Sequence, residues 1–153
     1  MATYSVEAEA RRVQLAGDGT EGPFAFAFGI NATSEISVYV DSTLKSISTH
    51  YTVSFSAGTE GGSITFTSGN FPTSSQTVTI ISNISLARTS TYTTGGSLTA
   101  SALESDFDTN MFLHQQVNEE VDRGLRQQPY DTLSGADMHL PVKADRLDKV
   151  LAF

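Results

Sequence analysis

Polar and apolar positions alternate along residues 10–90, and past residue 98 the apolar positions recur at three- and four-residue steps. Alternation with period two is the mark of half-buried strands, and the longer step is the mark of an amphipathic helix. The first strand is Arg12-Val13-Gln14-Leu15-Ala16, closed by Gly17-Asp18-Gly19-Thr20, where Asp-Gly supplies the positive φ of a tight turn. Phe24-Ala25-Phe26-Ala27-Phe28 then puts three phenylalanines on one face of an extended segment. After a loop at residues 31–34, Ile36, Val38 and Val40 face one way and Tyr39 the other. Residues 41–45 read as a turn and re-entry, and Tyr51-Thr52-Val53-Ser54-Phe55 as a further strand. Residues 58–62 form a hairpin loop from which Ser63-Ile64-Thr65-Phe66 returns. Phe71-Pro72 breaks the pattern before Thr77-Val78-Thr79-Ile80-Ile81, the strongest strand signal in the chain.

Strands at roughly ten-residue spacing with turn residues between them predict an antiparallel β-sandwich. Its expected core is Phe24, Phe26, Phe28, Val38, Phe66, Val78 and Ile80. The fold class is therefore mainly β, with a C-terminal amphipathic helix and an extended exit segment. The divisions follow: a β-sandwich over 1–97, a helix within 98–128, and a linker with an exit strand over 129–153.

The helix is expected over 101–126. Ser101-Ala102-Leu103-Glu104 fits a capping box, and Thr99 competes as N-cap. Leu103, Phe107, Met111, His114, Val117, Val121 and Leu125 form its stripe, Gly124 weakens its last turn, and Pro129 stops it. Asn110, His114 and Asn118 interrupt that stripe. Two readings stand: polar residues that pair with symmetry mates on a seam and fix its register, or solvated residues at its edge. Leu140-Pro141-Val142 leads through Lys143-Ala144-Asp145-Arg146 to a closing apolar segment, Lys149-Val150-Leu151-Ala152-Phe153. Either the polypeptide continues past this segment, or it completes another subunit's sheet.

Composition narrows the function. Of 153 residues 39% are hydrophobic, which points to burial completed in an oligomer or larger assembly. The net charge is −8, with ten acids against five bases from Leu98 onward. No basic run is present to neutralise a row of phosphates, so nucleic-acid binding is not expected, and an acidic surface does not favour anionic membranes. No apolar run reaches membrane-spanning length, and the first residues lack the pattern of a signal peptide. Synthesis in a cytoplasm is the expectation. Cysteine is absent, which removes disulfides, thiolate catalysis and cysteine zinc sites.

Candidate chemistry is sparse. His50, His114 and His139 are far apart and have no metal-ligand spacing. Glu104, Asp106 and Asp108 are read as complementing the helix dipole rather than as a catalytic pair. Glu119, Glu120 and Asp122 with Arg123 and Arg126 are read as a solvated face with local ion pairs. No phosphate loop and no Gly-x-Ser-x-Gly elbow occurs. No cofactor, metal or enzymatic activity is expected.

The ordered series of motifs resembles the N-terminal attachment domain of tail fibres and tailspikes of short-tailed, podovirus-type bacteriophages. The series runs from Gly17-Asp18-Gly19-Thr20 and the Phe-x-Phe-x-Phe strand to Ile36 through Asp41. It continues with Gly62-Ser63-Ile64-Thr65-Phe66 and Val78-Thr79-Ile80-Ile81-Ser82. The last two, Leu86-Ala87-Arg88-Thr89-Ser90 and Gly96-Ser97-Leu98-Thr99-Ala100-Ser101-Ala102-Leu103, are the most specific. The resemblance covers about residues 11–126 and implies a structural virion protein made in the host bacterial cytoplasm. It would anchor a fibre or tailspike as a homotrimer docked on the tail tube, adaptor or nozzle proteins. It either becomes the fibre shaft or binds a separate fibre protein as a stand-alone adaptor. Trimer contacts are expected from Phe107, Met111, His114, Val117 and Val121. The alternatives are a receptor- or carbohydrate-binding sandwich, stacking sugars on Tyr39, Tyr51 and Tyr92, and a polysaccharide depolymerase, which lacks an acid pair on a rigid scaffold.

Overall fold

The computed structural model describes residues 6–56, 60–87, 91–92, 94–96 and 98–124. The helix expected to run to Arg126 ends at Asp122, where Arg123 caps it; Leu125 and Arg126, His139 and the exit segment lie outside the described residues, as do residues 58 and 59 of the hairpin loop. Seven strands and one α-helix follow in order, with a 3-10 turn at Thr33–Glu35 before β3: β1 Arg12–Ala16, β2 Phe24–Phe26, β3 Ile36–Val40, β4 Thr43–Lys45, β5 Tyr51–Phe55, β6 Gly62–Phe66, β7 Thr77–Ser82 and α1 Ala100–Asp122. A four-stranded sheet in the order β1-β7-β3-β4 faces a three-stranded sheet in the order β2-β6-β5. Every pairing within them is antiparallel. The chain is a β-sandwich with a C-terminal helix.

Alternation sets the register. Ile36, Val38 and Val40 are buried while Ser37 and Tyr39 are half-buried, so β3 turns one face into the core. β7 lies between β1 and β3, pairing Val38 with Ile80 and Leu15 with Val78. Being central, it has four of its six residues buried, which explains why it carries the densest β-branched run. The two sheets close on Phe24, Phe26, Phe28, Val38, Tyr51, Ile64, Phe66, Val78 and Ile80. Phe24 meets Phe66 edge-on at 5.5 Å, a geometry worth about 0.5–1.5 kcal/mol beyond the area buried. β2 ends at Phe26, yet Phe28 remains fully buried and its ring lies 4.8 Å from that of Phe26.

Two turns fix the strands. Asp41 adopts a positive φ between β3 and β4, and its carboxylate accepts from the Thr77 N–H (2.9 Å) and from Gln76 Nε2 (3.1 Å). This ties the β3–β4 turn to the start of β7. Gly62 opens β6 rather than ending a loop, paired with Phe26 and Phe55, and only glycine fits there, since a Cβ would meet the Phe26 ring at 2.6 Å and the Ser54 carbonyl oxygen at 2.6 Å.

Candidate interaction face on the C-terminal helix

α1 begins at Ala100, and its N-cap is Thr99, whose Oγ1 accepts from the Ala102 N–H at 3.3 Å. The capping box on Ser101 is thereby corrected: Ser101 already has a place inside the helix. With Thr99 as cap, the first turn contains no acid, so Glu104, Asp106 and Asp108 sit too far along to answer the dipole. The carboxyl of Asp108 is instead raised from its ordinary value, first by burial and then by repulsion from Glu104 one turn before it. Asp106 accepts from the Tyr92 hydroxyl at 2.9 Å.

The helix crosses the end of the sandwich where β1 starts and β7 stops. It is held there by a polar clamp that hydropathy alone did not reveal. Gln116 is buried; its Oε1 accepts from the Ile84 N–H (2.8 Å) and Ser82 Oγ (3.1 Å), and its Nε2 donates to the Ile84 carbonyl (3.3 Å). Ser82 Oγ in turn accepts from the Arg11 guanidinium at 2.8 Å. Arg11 is 1% exposed, donates to the Gly29 carbonyl at 2.7 Å, and lies 5.0 Å from the Phe28 ring and 4.7 Å from that of Phe112. A planar guanidinium suits this slot because it stacks on both rings while its N–H groups point in plane. Nearer the N-terminus of the chain, Gln115 Nε2 donates to the Glu7 carbonyl at 2.7 Å.

Strand ends explain the polar character of this contact. A helix laid across them meets backbone N–H and C=O groups that have left the sheet ladder and need partners. Phe112 supplies the apolar contact, and Gln116 supplies the hydrogen bonds. The signal available in the sequence was weak: one phenylalanine followed one turn later by glutamine, beside a more prominent apolar line.

That prominent line faces away from the sandwich. At about 100° per residue, the positions opposite Phe112 are those near 103, 107, 110, 114, 117 and 121. Phe107 is 67% exposed, Met111 48%, Val117 45% and Val121 48%. His114, Asn110 and Asn118 are exposed with them, and Leu103 is half-buried. The five residues expected at a trimer contact thus share one outward side of α1, with His114 also bordering the N-terminal segment. Asn118 donates to Asp122 Oδ2 at 3.2 Å, and Arg123 pairs with Glu119 at 3.3 Å, the local ion pairing expected of the far end.

Grooves flank the helix on both sides. One of about 510 Å³ lies between α1 and residues 84–87, lined in part by Asn31, Glu35, Leu86, Asp106, Asn110 and Leu113. The other, about 430 Å³, lies against the N-terminal segment and is lined by Glu9, Arg11, His114, Asn118 and Asp122 among others. Among the described residues no group of three or more His, Asp or Glu side chains is set to hold a metal ion. None of the helices among them is long and apolar enough to cross a membrane.

The tyrosines expected to stack on sugars are dispersed. Tyr51 is 2% exposed and donates from its hydroxyl to the Ile36 carbonyl, which makes it a core residue and corrects that expectation. Tyr39 is half-buried in β3, and Tyr92 is turned to α1 by its hydrogen bond to Asp106. His50 accepts from the Ser46 N–H through Nδ1, a turn contact. No protein-family model matches this sequence, and no characterised protein matches it.

Proposed function

We propose that this chain is a structural virion component that anchors a tail fibre or tailspike to the tail of a short-tailed bacteriophage, as a homotrimer. The reading joins the resemblance of the ordered motifs to one observation. The helix is fastened to its own domain through Phe112 and Gln116, and it still carries a second, exposed line of Phe107, Met111, Val117 and Val121. A helix that only closed its own sandwich would need one such face. Exposed apolar surface of this kind is the ordinary mark of an interaction site.

In this role the sandwich holds the tail tube, adaptor or nozzle proteins, and α1 directs the chain toward a fibre shaft or a separate fibre protein. The role is mechanical: no cofactor takes part, no turnover of polysaccharide is expected, and the protein works in the virion after synthesis in the host cytoplasm. Two measurements on the intact chain test it together: mass by light scattering at micromolar concentration, and capture of purified tail-tube or nozzle proteins from the same phage. A threefold mass with capture is the expected result. A monomer that captures none of them refutes the reading, and specific retention on a host glycan array would favour a receptor-binding module instead.

A further inference from the structure

We infer that the groove of about 510 Å³ beside α1 receives a basic side chain, Arg or Lys, carried on an aliphatic segment of a partner protein. The inference rests on the anchor reading, to which it adds the place that holds a virion partner and the chemistry that partner must have.

The groove is held open by its own hydrogen bonds. On the sandwich side, Glu35 Oε2 accepts from the Asn31 N–H at 2.7 Å. Asn31 Nδ2 reaches across to α1 and donates to Thr109 Oγ1 at 3.2 Å, and Thr109 Oγ1 donates to the Ser105 carbonyl at 2.7 Å. The remaining wall is residues 84–87. Gln116 fixes Ile84 to the helix, and the Asn83 N–H donates to the Glu35 carbonyl at 2.8 Å. A cleft fastened in this way needs little ordering to accept a ligand, and its volume is that of an ordinary binding site.

Charge selects the occupant. Glu35 and Asp106 bring carboxylates from two different elements, and the described lining contains no Lys, Arg or His. The second oxygen of Glu35, the Asn110 amide and the Ser105 hydroxyl have no hydrogen-bond partner among the described residues. Bonds from neutral N–H groups leave a carboxylate's charge in place, so the groove is a negative site on a chain of net charge −8. It repels phosphates, and the net charge works against a second copy of this chain. No aromatic ring among the described lining residues is there to stack on a sugar.

The apolar part of the lining narrows the occupant further. Ile84, Leu86 and Leu113 share the groove with the carboxylates, and Leu86 is 76% exposed. A free inorganic cation would leave these groups bare. An Arg or Lys lays its methylene stem along them while its charged head meets Glu35, and a guanidinium can do so with two N–H groups at once. Aliphatic neighbours of that residue in the partner then cover Leu86.

The probe is the blocked peptide acetyl-Val-Leu-Arg-Leu-Val-amide, set against the same peptide with citrulline, which keeps the shape of arginine without its charge. Binding is read by nuclear magnetic resonance at the Leu86 and Leu113 methyl groups and the Asn31 and Asn110 side-chain amides. The arginine peptide should give saturable shifts at these positions, and the citrulline peptide should not. Glu35→Gln keeps an oxygen for the Asn31 N–H, and Asp106→Asn keeps one for the Tyr92 hydroxyl. Each should weaken binding about tenfold, the loss of one charge-assisted hydrogen bond, with melting unchanged. Glu21→Gln, in the β1–β2 loop, should alter nothing. Equal binding of the two peptides, or shifts only outside the groove, overturns the inference. Arg88 follows the 84–87 wall and lies outside the described residues. Peptide shifts that appear only in Arg88→Gln would give the groove to the chain's own Arg88. Shifts from calcium chloride with none from the peptide would give it to a metal ion; either result overturns the inference too.

Capture of tail-tube, nozzle or fibre proteins separates the groove from the anchor reading. Capture undiminished in the double variant Glu35→Gln with Asp106→Asn overturns the groove as the partner's site and leaves the anchor reading intact. Arginine peptide bound in the groove of a chain that captures none of these proteins refutes the anchor reading and leaves the groove's choice of a basic side chain standing.

Discussion

Gln116→Met removes the centre of the clamp while keeping the length of the side chain. Three hydrogen bonds disappear, to Ser82 Oγ and to both backbone groups of Ile84. A net hydrogen bond contributes about 1 kcal/mol, and a buried N–H left without a partner costs about 1–3 kcal/mol. The bonds share one side chain and are not additive, so the expected loss is about 3 kcal/mol. The chain has no tryptophan, which leaves two separable signals. Far-UV circular dichroism at the helical band reports α1, and the near-UV tyrosine signal, to which buried Tyr51 contributes, reports the sandwich. With a urea m-value of about 1–3 kcal/mol/M, the helix transition should move down by about 1–3 M. The sandwich transition should move less, because the side chains of the hydrophobic core cluster are left in place. If both transitions are unchanged, the clamp does not hold the helix. If both fall together by the same amount, helix and sandwich form one cooperative unit rather than a domain with a fastened helix.

Val117→Asp puts a charge on the exposed line of α1 and should abolish the threefold mass in light scattering, leaving the tyrosine signal and melting of the sandwich as they were; unchanged mass would show that the seam is misplaced. Thr99→Ala should destabilise α1 by about 1 kcal/mol in thermal melts, whereas Ser101→Ala should have little effect, and the reverse order would restore the capping box. Gly62→Ala forces a Cβ against the Phe26 ring and the Ser54 carbonyl and should lower stability by about 1–3 kcal/mol, read as a urea midpoint. Asp108→Asn should raise the melting temperature slightly at pH 7. The raised carboxyl of Asp108 is a cost that appears as pH rises through the carboxylate range, so the gain should vanish in acid, where the native residue is protonated; a gain that persists there would contradict the sign.

The β-sandwich was legible in the sequence because its physics is local and repetitive. Alternation in Ile36 to Val40 and in Ser63 to Phe66 fixes which side chains can share a face, and turn residues such as Asp41 fix where the chain reverses. The helix and its stripe were legible for the same reason, since periodicity is a property of neighbours. Strand partners, however, are distant in the chain, and only the packed structure decided that β7 lies between β1 and β3. It also decided the fate of single residues: Tyr51 went into the core, Thr99 took the cap, and Arg11 was enclosed between Phe28 and Phe112. Above all, it decided which side of α1 faces inward. Periodicity identifies an apolar line without saying what covers it, and the backbone groups at the strand ends required a polar partner. Gln116 met that requirement, so the apolar line was left outward.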